Sequence, residues 1–331
     1  MRFAGRIAAV LVLAAMAAVA APASTPPADP TVRRAADLVE WGRWQEARKL
    51  LADAVAEPDN ARNAALIAYY AHVLLKFGDL RSGTNQAKRA VALDDACASC
   101  HLYMFEAMAE RAEGMNQFHA LLVLPRMKKQ LEKATALDPN SGDVQWAWID
   151  LDLGLPAAAG GSTSEAMKHA DRLSEIDPVD GRLARASIYE SLKQTDQALA
   201  QYRAAAEDHP EDPRGDFALG QALYKRGDFA AAAPFLAKAF HLNPASALYS
   251  AYYSASLVHD KKLPQARAVL DAAQALHPDS RVGDYLCAEA LRQTNQDFAW
   301  ARQLLAAYLA VPSEPDQPTA AQAQKLLAAL G

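Results

Sequence analysis

Small apolar positions recur through the second half of the chain at a fixed interval. Ala198 and Ala205, Ala232 and Ala239, and Ala266 and Ala273 form three pairs, each 34 residues from the next. Every pair lies in a helical pattern of apolar and polar residues that stops near a proline. Pro210, Pro244, Pro278 and Pro312 are themselves 34 apart, with Pro178 a further 32 and Pro139 a further 39 residues upstream. Proline cannot continue a helix, so each one marks a boundary. Gly227-Asp228 and Gly78-Asp79 fall between helical stretches, where glycine tolerates a left-handed backbone. The pattern predicts helix, turn, helix, repeated along the chain, with almost no strand.

A period of 34 with these small positions resembles the tetratricopeptide-repeat (TPR) family, and the resemblance covers nearly the whole chain after residue 30. It implies an all-α fold, a right-handed superhelix or α-solenoid of about seven to eight antiparallel helix pairs. No pair in such an array buries its own apolar stripe, so residues 31–331 read as one stacked solenoid. Gly220 is expected to let two helices approach closely. The N-terminal repeats are looser: Gly42-x-Trp44-x-x-Ala47 marks a first, and Ala90 with Leu93-Asp94-Asp95 closes a second. Asp95 to Pro139 spans 44 residues, which predicts an insertion around GMNQFHALLVLPR. Trp300 stands where the last full repeat should have alanine, predicting a distorted C-terminal cap. Thr319 to Leu330 reads as an amphipathic helix capping the array.

The stretch GLPAAAGGSTSEA carries Ser162 three residues before Glu165, a capping box that predicts a helix bearing Ala166 and Ala170. Gly160-Gly161 ahead of it could instead cradle an anion on free N–H groups. A P-x-x-x-G-G insertion of this kind is similar to one in exported TPR proteins associated with TRAP transporters. Those usually continue with Asp, where Ser162 stands here.

The first residues change the compartment. Arg2 and Arg6 precede an apolar run from Ile7 to about Ala20; Ala21-Pro22-Ala23 offers small residues for cleavage before Ser24, the preferred site, and Ala18-Val19-Ala20 is the competing one. Residues 1–23 are therefore expected to be a signal peptide and 24–30 a disordered leader, giving a periplasmic or secreted protein. Formal charge is −5, and losing the two arginines brings it to about −7. An evenly mixed acidic chain offers no footprint for nucleic acid, and no later apolar run suits a membrane anchor. No HExxH or GxSxG motif occurs, and the eight histidines lack metal-ligand spacing, so no catalytic or metal site is expected.

Two sets of residues carry candidate function. Projecting the repeat places Arg214, Phe217, Gln221, Tyr224 and Lys225 on the groove face of one repeat, and Tyr285, Glu289 and Arg292 on that of a later one. Aromatic and charged residues together suit a protein or peptide segment. The Lys and Asn carboxylate clamp of chaperone-binding TPR members is absent: Leu183, Ser187, Phe217, Gln221, Ala251 and Ala255 occupy its positions. The second set is Cys97, Cys100 and His101, whose C-x-x-C-H spacing is the attachment pattern of a c-type haem. The repeat register instead puts Cys97 in a turn and Cys100 in a small packing position. Covalent haem, a local disulfide and unpaired thiols stay open. Cys287 reads as a buried, unpaired packing residue. The resulting expectation is a non-enzymatic scaffold without a cofactor, binding a protein partner in its groove. A haem redox protein and an accessory subunit of a TRAP-like transporter are the alternatives.

Overall fold

The computed structural model describes residues 29–331, apart from 279 and 316. The expected signal peptide and the leader up to residue 28 lie outside the described residues. Asp29 and Pro30, expected in the leader, instead start the first helix, with Asp29 Oδ1 accepting the Thr31 and Val32 N–H groups at 2.8 and 3.1 Å.

Among the described residues the chain forms 17 α-helices and no strand. Eight successive pairs are followed by a single helix. The pairs are α1 (Pro30–Glu40) with α2 (Trp44–Ala56), α3 (Ala64–Lys76) with α4 (Leu80–Leu93), and α5 (Ala98–Glu113) with α6 (Gln117–Leu137). Then come α7 (Gly142–Gly154) with α8 (Thr163–Ile176), and α9 (Pro178–Ser191) with α10 (Thr195–Asp208). The last three pairs are α11 (Pro213–Lys225) with α12 (Phe229–Leu242), α13 (Ala247–His259) with α14 (Leu263–Leu276), and α15 (Val282–Gln293) with α16 (Phe298–Leu309). Helix α17 (Ala320–Ala328) ends the array.

The chain divides into two compact units. One holds residues up to Leu38 and Glu46–Ala198, the other Val39–Gln45 and Leu199–Gly331. In the first, α3 packs on both α4 and α5, α5 on α6, and α8 on α7 and α9. In the second, α13 packs on α12, α14 and α15, and α15 on α16. The turn at Val39–Gln45 belongs to this second unit because the Trp41 carbonyl accepts the Ala247 N–H at 3.2 Å and both Glu314 oxygens accept the Gln45 N–H.

The 34-residue phase has a physical basis at each register position. The first helix of seven pairs is capped by a side chain accepting first-turn N–H groups: Asp29, Asn63, Cys97, Ser141, Asp177, Asp212 and Ser246. Such a cap satisfies a donor the helix itself leaves orphaned. Ala198, Ala205, Ala232, Ala239 and Ala266 are buried as their spacing predicts, while Ala273 is only partly so. A Cβ on Gly220 would sit 2.8 Å from the Leu236 side chain and 3.1 Å from its backbone nitrogen, so α11 and α12 meet more closely than an alanine there would allow. The turn closing that pair needs a left-handed residue, supplied by Gly227 at φ 85°. The same turn position in neighbouring repeats is Lys193, Lys261 and Asn295, at φ 60°, 58° and 55°.

The insertion predicted after Glu113 is helical. It lengthens α6 to 21 residues, with Pro125 inside and Phe118, Leu121 and Leu122 exposed. Ser162 caps α8 by accepting the Glu165 N–H at 3.2 Å, but the Glu165 carboxylate pairs with Lys168 at 2.8 Å. At the other end α17 carries the full reciprocal box between Thr319 and Gln322 and buries Ala323 and Leu326. Trp300 fits its alanine position by lying buried in the core of the second unit under the Arg267 guanidinium, 3.9 Å from its ring.

Candidate functional site

The residues expected on the groove face separate into displayed and buried sets. Arg214 is largely buried, its Nε 3.0 Å from both Asp212 oxygens and its Nη2 at 2.6 Å, and this pair closes the start of α11. Phe217 is not displayed at all. It is 0% exposed, packed against Tyr249 at 4.4 Å and edge-on to Tyr252 at 5.5 Å between ring centroids. An aromatic in the first turns of α11 contributes more by filling this inter-helix space than by facing water.

Gln221, Tyr224 and Lys225 do come together, one helical turn further on. Lys225 Nζ donates to Gln221 Oε1 at 2.9 Å. The Tyr224 ring stands edge-on to Tyr252 at 5.4 Å, and its hydroxyl lies 3.3 Å from His259 Nε2. Gln221 also bonds the Tyr252 hydroxyl. Glu289 on α15 interacts electrostatically with the hydroxyls of Tyr224, Tyr252 and Tyr285. Partial burial pushes the Glu289 carboxyl up, and Arg292 only partly offsets it. Tyr285 leans on Tyr308 at 5.5 Å, and Arg292 is exposed. The face therefore combines the edge-on rings of Tyr224 and Tyr252 with the Gln221–Lys225 pair, and α15 carries a partly buried carboxylate at Glu289 and an exposed cation at Arg292.

Tyr252 and His259 belong to this face and lie outside the projected set. Their signal was a spacing of 33 from Tyr252 to Tyr285 and 35 from Tyr224 to His259, one residue off the repeat in each direction.

The first unit holds a second polar face on α3, α5 and α7. Glu106 accepts from His72 Nδ1 at 2.6 Å and Lys76 Nζ at 2.8 Å. Tyr69 and Tyr103 stack around His72, with centroids 5.6 and 4.9 Å away. Burial opposes charge on Glu106, yet His72 and Lys76 together outweigh it and hold the carboxyl at about 2. Crowding by protein drives Asp143 up, and Asp150 to about 6 although solvent reaches it. No motif or repeat position in the sequence marks this network.

Cys97 and Cys100 form a disulfide, with Cα atoms 5.3 Å apart. His101 is 2% exposed; its Nδ1 meets Gln130 Oε1 at 2.7 Å and its Nε2 the Asp95 carbonyl at 3.0 Å. The two sulfurs are spent on each other and both imidazole nitrogens on the protein. These residues do not fit a covalent haem, which would need both thiols and a free imidazole nitrogen. Cys287 is free and buried, donating to Ser254 Oγ at 3.3 Å, and burial pushes its thiol up to about 12.

The anion cradle does not form either. The N–H groups of Gly160, Gly161 and Ser162 are taken by the carbonyls of Ala157, Pro156 and Asp152. Among the described residues, no group of three or more His, Cys, Asp or Glu side chains could hold a metal ion. No described helix is long and apolar enough to cross a membrane.

A sequence profile described as tetratricopeptide repeat matches residues 183–247 and 217–281. The fold is a tetratricopeptide-repeat α-solenoid. Yeast Tom70 superposes with a TM-score of 0.60 at 17% identity, over 97% of this chain and 69% of that one. A thermophilic TPR protein from Thermus thermophilus matches at 0.48 and 21%, over 59% of this chain and 97% of its own. A tetratricopeptide-repeat protein from Parabacteroides merdae matches at 0.45 and 16%, over 79% and 97%. At these identities the likeness is one of fold. No curated protein matches the chain in sequence. The TPR profile falls on the stretch where the 34-residue period is most regular, and it includes α11 and α13 of the tyrosine face.

Proposed function

We propose that this chain is a non-enzymatic TPR scaffold, exported to the periplasm or secreted, which binds a protein segment on the face of α11, α13 and α15. The observation that carries the reading is the cluster in which the Tyr224 ring stands edge-on to Tyr252 and His259 with the Gln221–Lys225 pair beside it, while Glu289 on α15 adds a partly buried carboxylate raised by desolvation. Aromatic edges on α11 and α13 together with a carboxylate on α15 suit a lysine or arginine whose stem packs on the rings, from an extended or helical segment. Repeat arrays of this type commonly use an extended face for protein recognition.

The transporter-accessory reading draws on the glycine pair at 160–161, and those glycines serve the turn before α8. The haem reading needs groups that are already engaged. Neither gains support from the geometry.

The test replaces Lys225→Ala, Tyr224→Phe and Glu289→Gln, changes that keep the ring packing of the core. Partners captured from an extracytoplasmic extract by the parent protein are expected to be lost with the triple variant at unchanged helical circular dichroism. Capture that is equal for both proteins would place recognition elsewhere. The mass of the exported chain is expected to begin at Ser24.

A further inference from the structure

The position of the disulfide within its helix points beyond a packing role. Cys97 occupies the N-cap of α5, the slot filled by Asn, Ser or Asp in the other capped first helices. Its Sγ accepts the Cys100 N–H at 3.2 Å and lies 3.4 Å from the Ser99 hydroxyl. Two donors and a helix N-terminus thus converge on one sulfur, and such surroundings stabilise a thiolate. The two sulfurs are unlike. Cys97 is partly exposed, whereas Cys100 is 0% exposed beneath it. A bridge spanning three residues closes too small a loop to add much stability.

We propose that Cys97–Cys100 is a dithiol–disulfide exchange centre that takes two electrons from a protein dithiol, with Cys97 as the sulfur attacked and Cys100 as the leaving one. A thiolate of the dithiol attacks Cys97 Sγ, the Cys97–Cys100 bond breaks, and Cys100 leaves as a thiolate that takes up a proton. The second thiol of the substrate, deprotonated, then attacks its own sulfur in the mixed disulfide. Cys97 departs as a thiolate held by the Cys100 N–H and Ser99. Once Cys97 takes up the second proton, the substrate is a disulfide and the protein a dithiol, two electrons and two protons having moved. The charged groups around this turn are already paired. Asp94 accepts the Ala96 N–H, Asp95 meets Lys133, and His101 lies between Gln130 and Asp95, so the donors on Cys97 itself carry the effect. This centre does not depend on the partner-binding face of the second unit.

The experiment uses the full chain with glutathione and a synthetic peptide bearing two cysteines as probes. Acid quenching, alkylation and intact mass read the redox state. The bridge is expected to equilibrate with glutathione buffers and to be reduced by the peptide, which becomes oxidised in equal amount. A bridge that stays oxidised in excess reduced glutathione overturns the proposal, because structural disulfides resist that pool. Oxidised glutathione added to Cys100→Ala should add about 305 Da at Cys97 at least tenfold faster than it adds to Cys100 in Cys97→Ala. Equal rates at the two positions, with helical content retained, overturn the assignment of the attacked sulfur. Should either variant fail to fold, the wild-type titration decides alone.

Discussion

His72 on α3 donates from Nδ1 to Oε2 of Glu106 on α5 at 2.6 Å, across one repeat of 34 residues. Lys76 Nζ reaches the other oxygen at 2.8 Å, so one carboxylate ties two turns of α3 to α5. Holding Glu106 at about 2, below its ordinary 4.5, makes its charge a source of stability. That contribution is full above about pH 5 and is lost as pH falls toward 2, because the unfolded chain binds the proton first. The shift corresponds to about 3 kcal/mol. Glu106→Gln should lose a comparable amount at pH 7 and little at pH 2.5, read by urea unfolding at both values. A loss independent of pH would show that packing rather than charge is at stake.

Asp284 is the opposite case. It is 0% exposed at the start of α15, where burial drives its carboxyl to about 6 against the pull of Arg281 and the hydrogen bond from Gln274 at 2.5 Å. A raised carboxyl favours the folded state only while protonated, so wild-type stability should decline as pH rises from about 4 to about 6. Asp284→Asn keeps an acceptor for Gln274 and removes the charge. The variant is expected to gain about 2–3 kcal/mol on wild type between pH 4 and 7. Denaturation curves at the two pH values check this, and an equal difference at both would refute it.

The same repeat that made the fold legible hid these pairs. Pro210, Pro244 and Pro278 fall just after α10, α12 and α14, and Ala232 and Ala239 are buried, because the period records helix boundaries and close packing directly. Whether an aromatic points inward depends on a rotation of about 100° per residue, which a phase of 34 does not resolve to one position. Phe217 therefore went to the core while Tyr252, one residue past the projected position at 251, joined the face. The Glu106 network was hidden for another reason. The long α6 breaks the period between Asp95 and Pro139, so Asp143 and Asp150 fall out of phase with His72 and Glu106. Cys97 likewise gave no sign of being a cap, since a thiol is a weak acceptor compared with the oxygens that usually serve.

Lys193 and Lys261 hold the left-handed turn position that Gly227 holds between α11 and α12. A side chain there is strained, and glycine is not. Lys193→Gly and Lys261→Gly should each raise stability by about 0.5 kcal/mol, the relief of strain exceeding the added freedom of the unfolded chain. Gly227→Ala should lower it by about 1 kcal/mol. Thermal unfolding of the three variants side by side checks the order. A destabilised Lys261→Gly would mean that its side chain holds the turn.

His259 closes the tyrosine face from α13. Its ring is stacked on Phe229, centroids 3.4 Å apart and planes 8° from parallel, with the Tyr224 hydroxyl 3.3 Å from Nε2. Burial against these rings lowers its pKa to about 4, so the folded protein keeps a neutral imidazole well into acid. The unfolded chain protonates near 6.5, which means the neutral ring adds stability above that value and the contribution is lost as pH falls toward 4. At most about 3 kcal/mol is involved. In a proton NMR titration the C2–H signal of His259, assigned with His259→Gln, should stay unmoved from pH 7 to 5. A midpoint near 6.5 would show that the ring is open to water. Because the same imidazole faces Tyr224, protonating it would put a positive charge on the tyrosine face and compete with any basic residue of a partner. Partner binding should thus weaken below about pH 4.5 through His259, and His259→Gln should remove that acid limb while leaving binding at pH 7 intact.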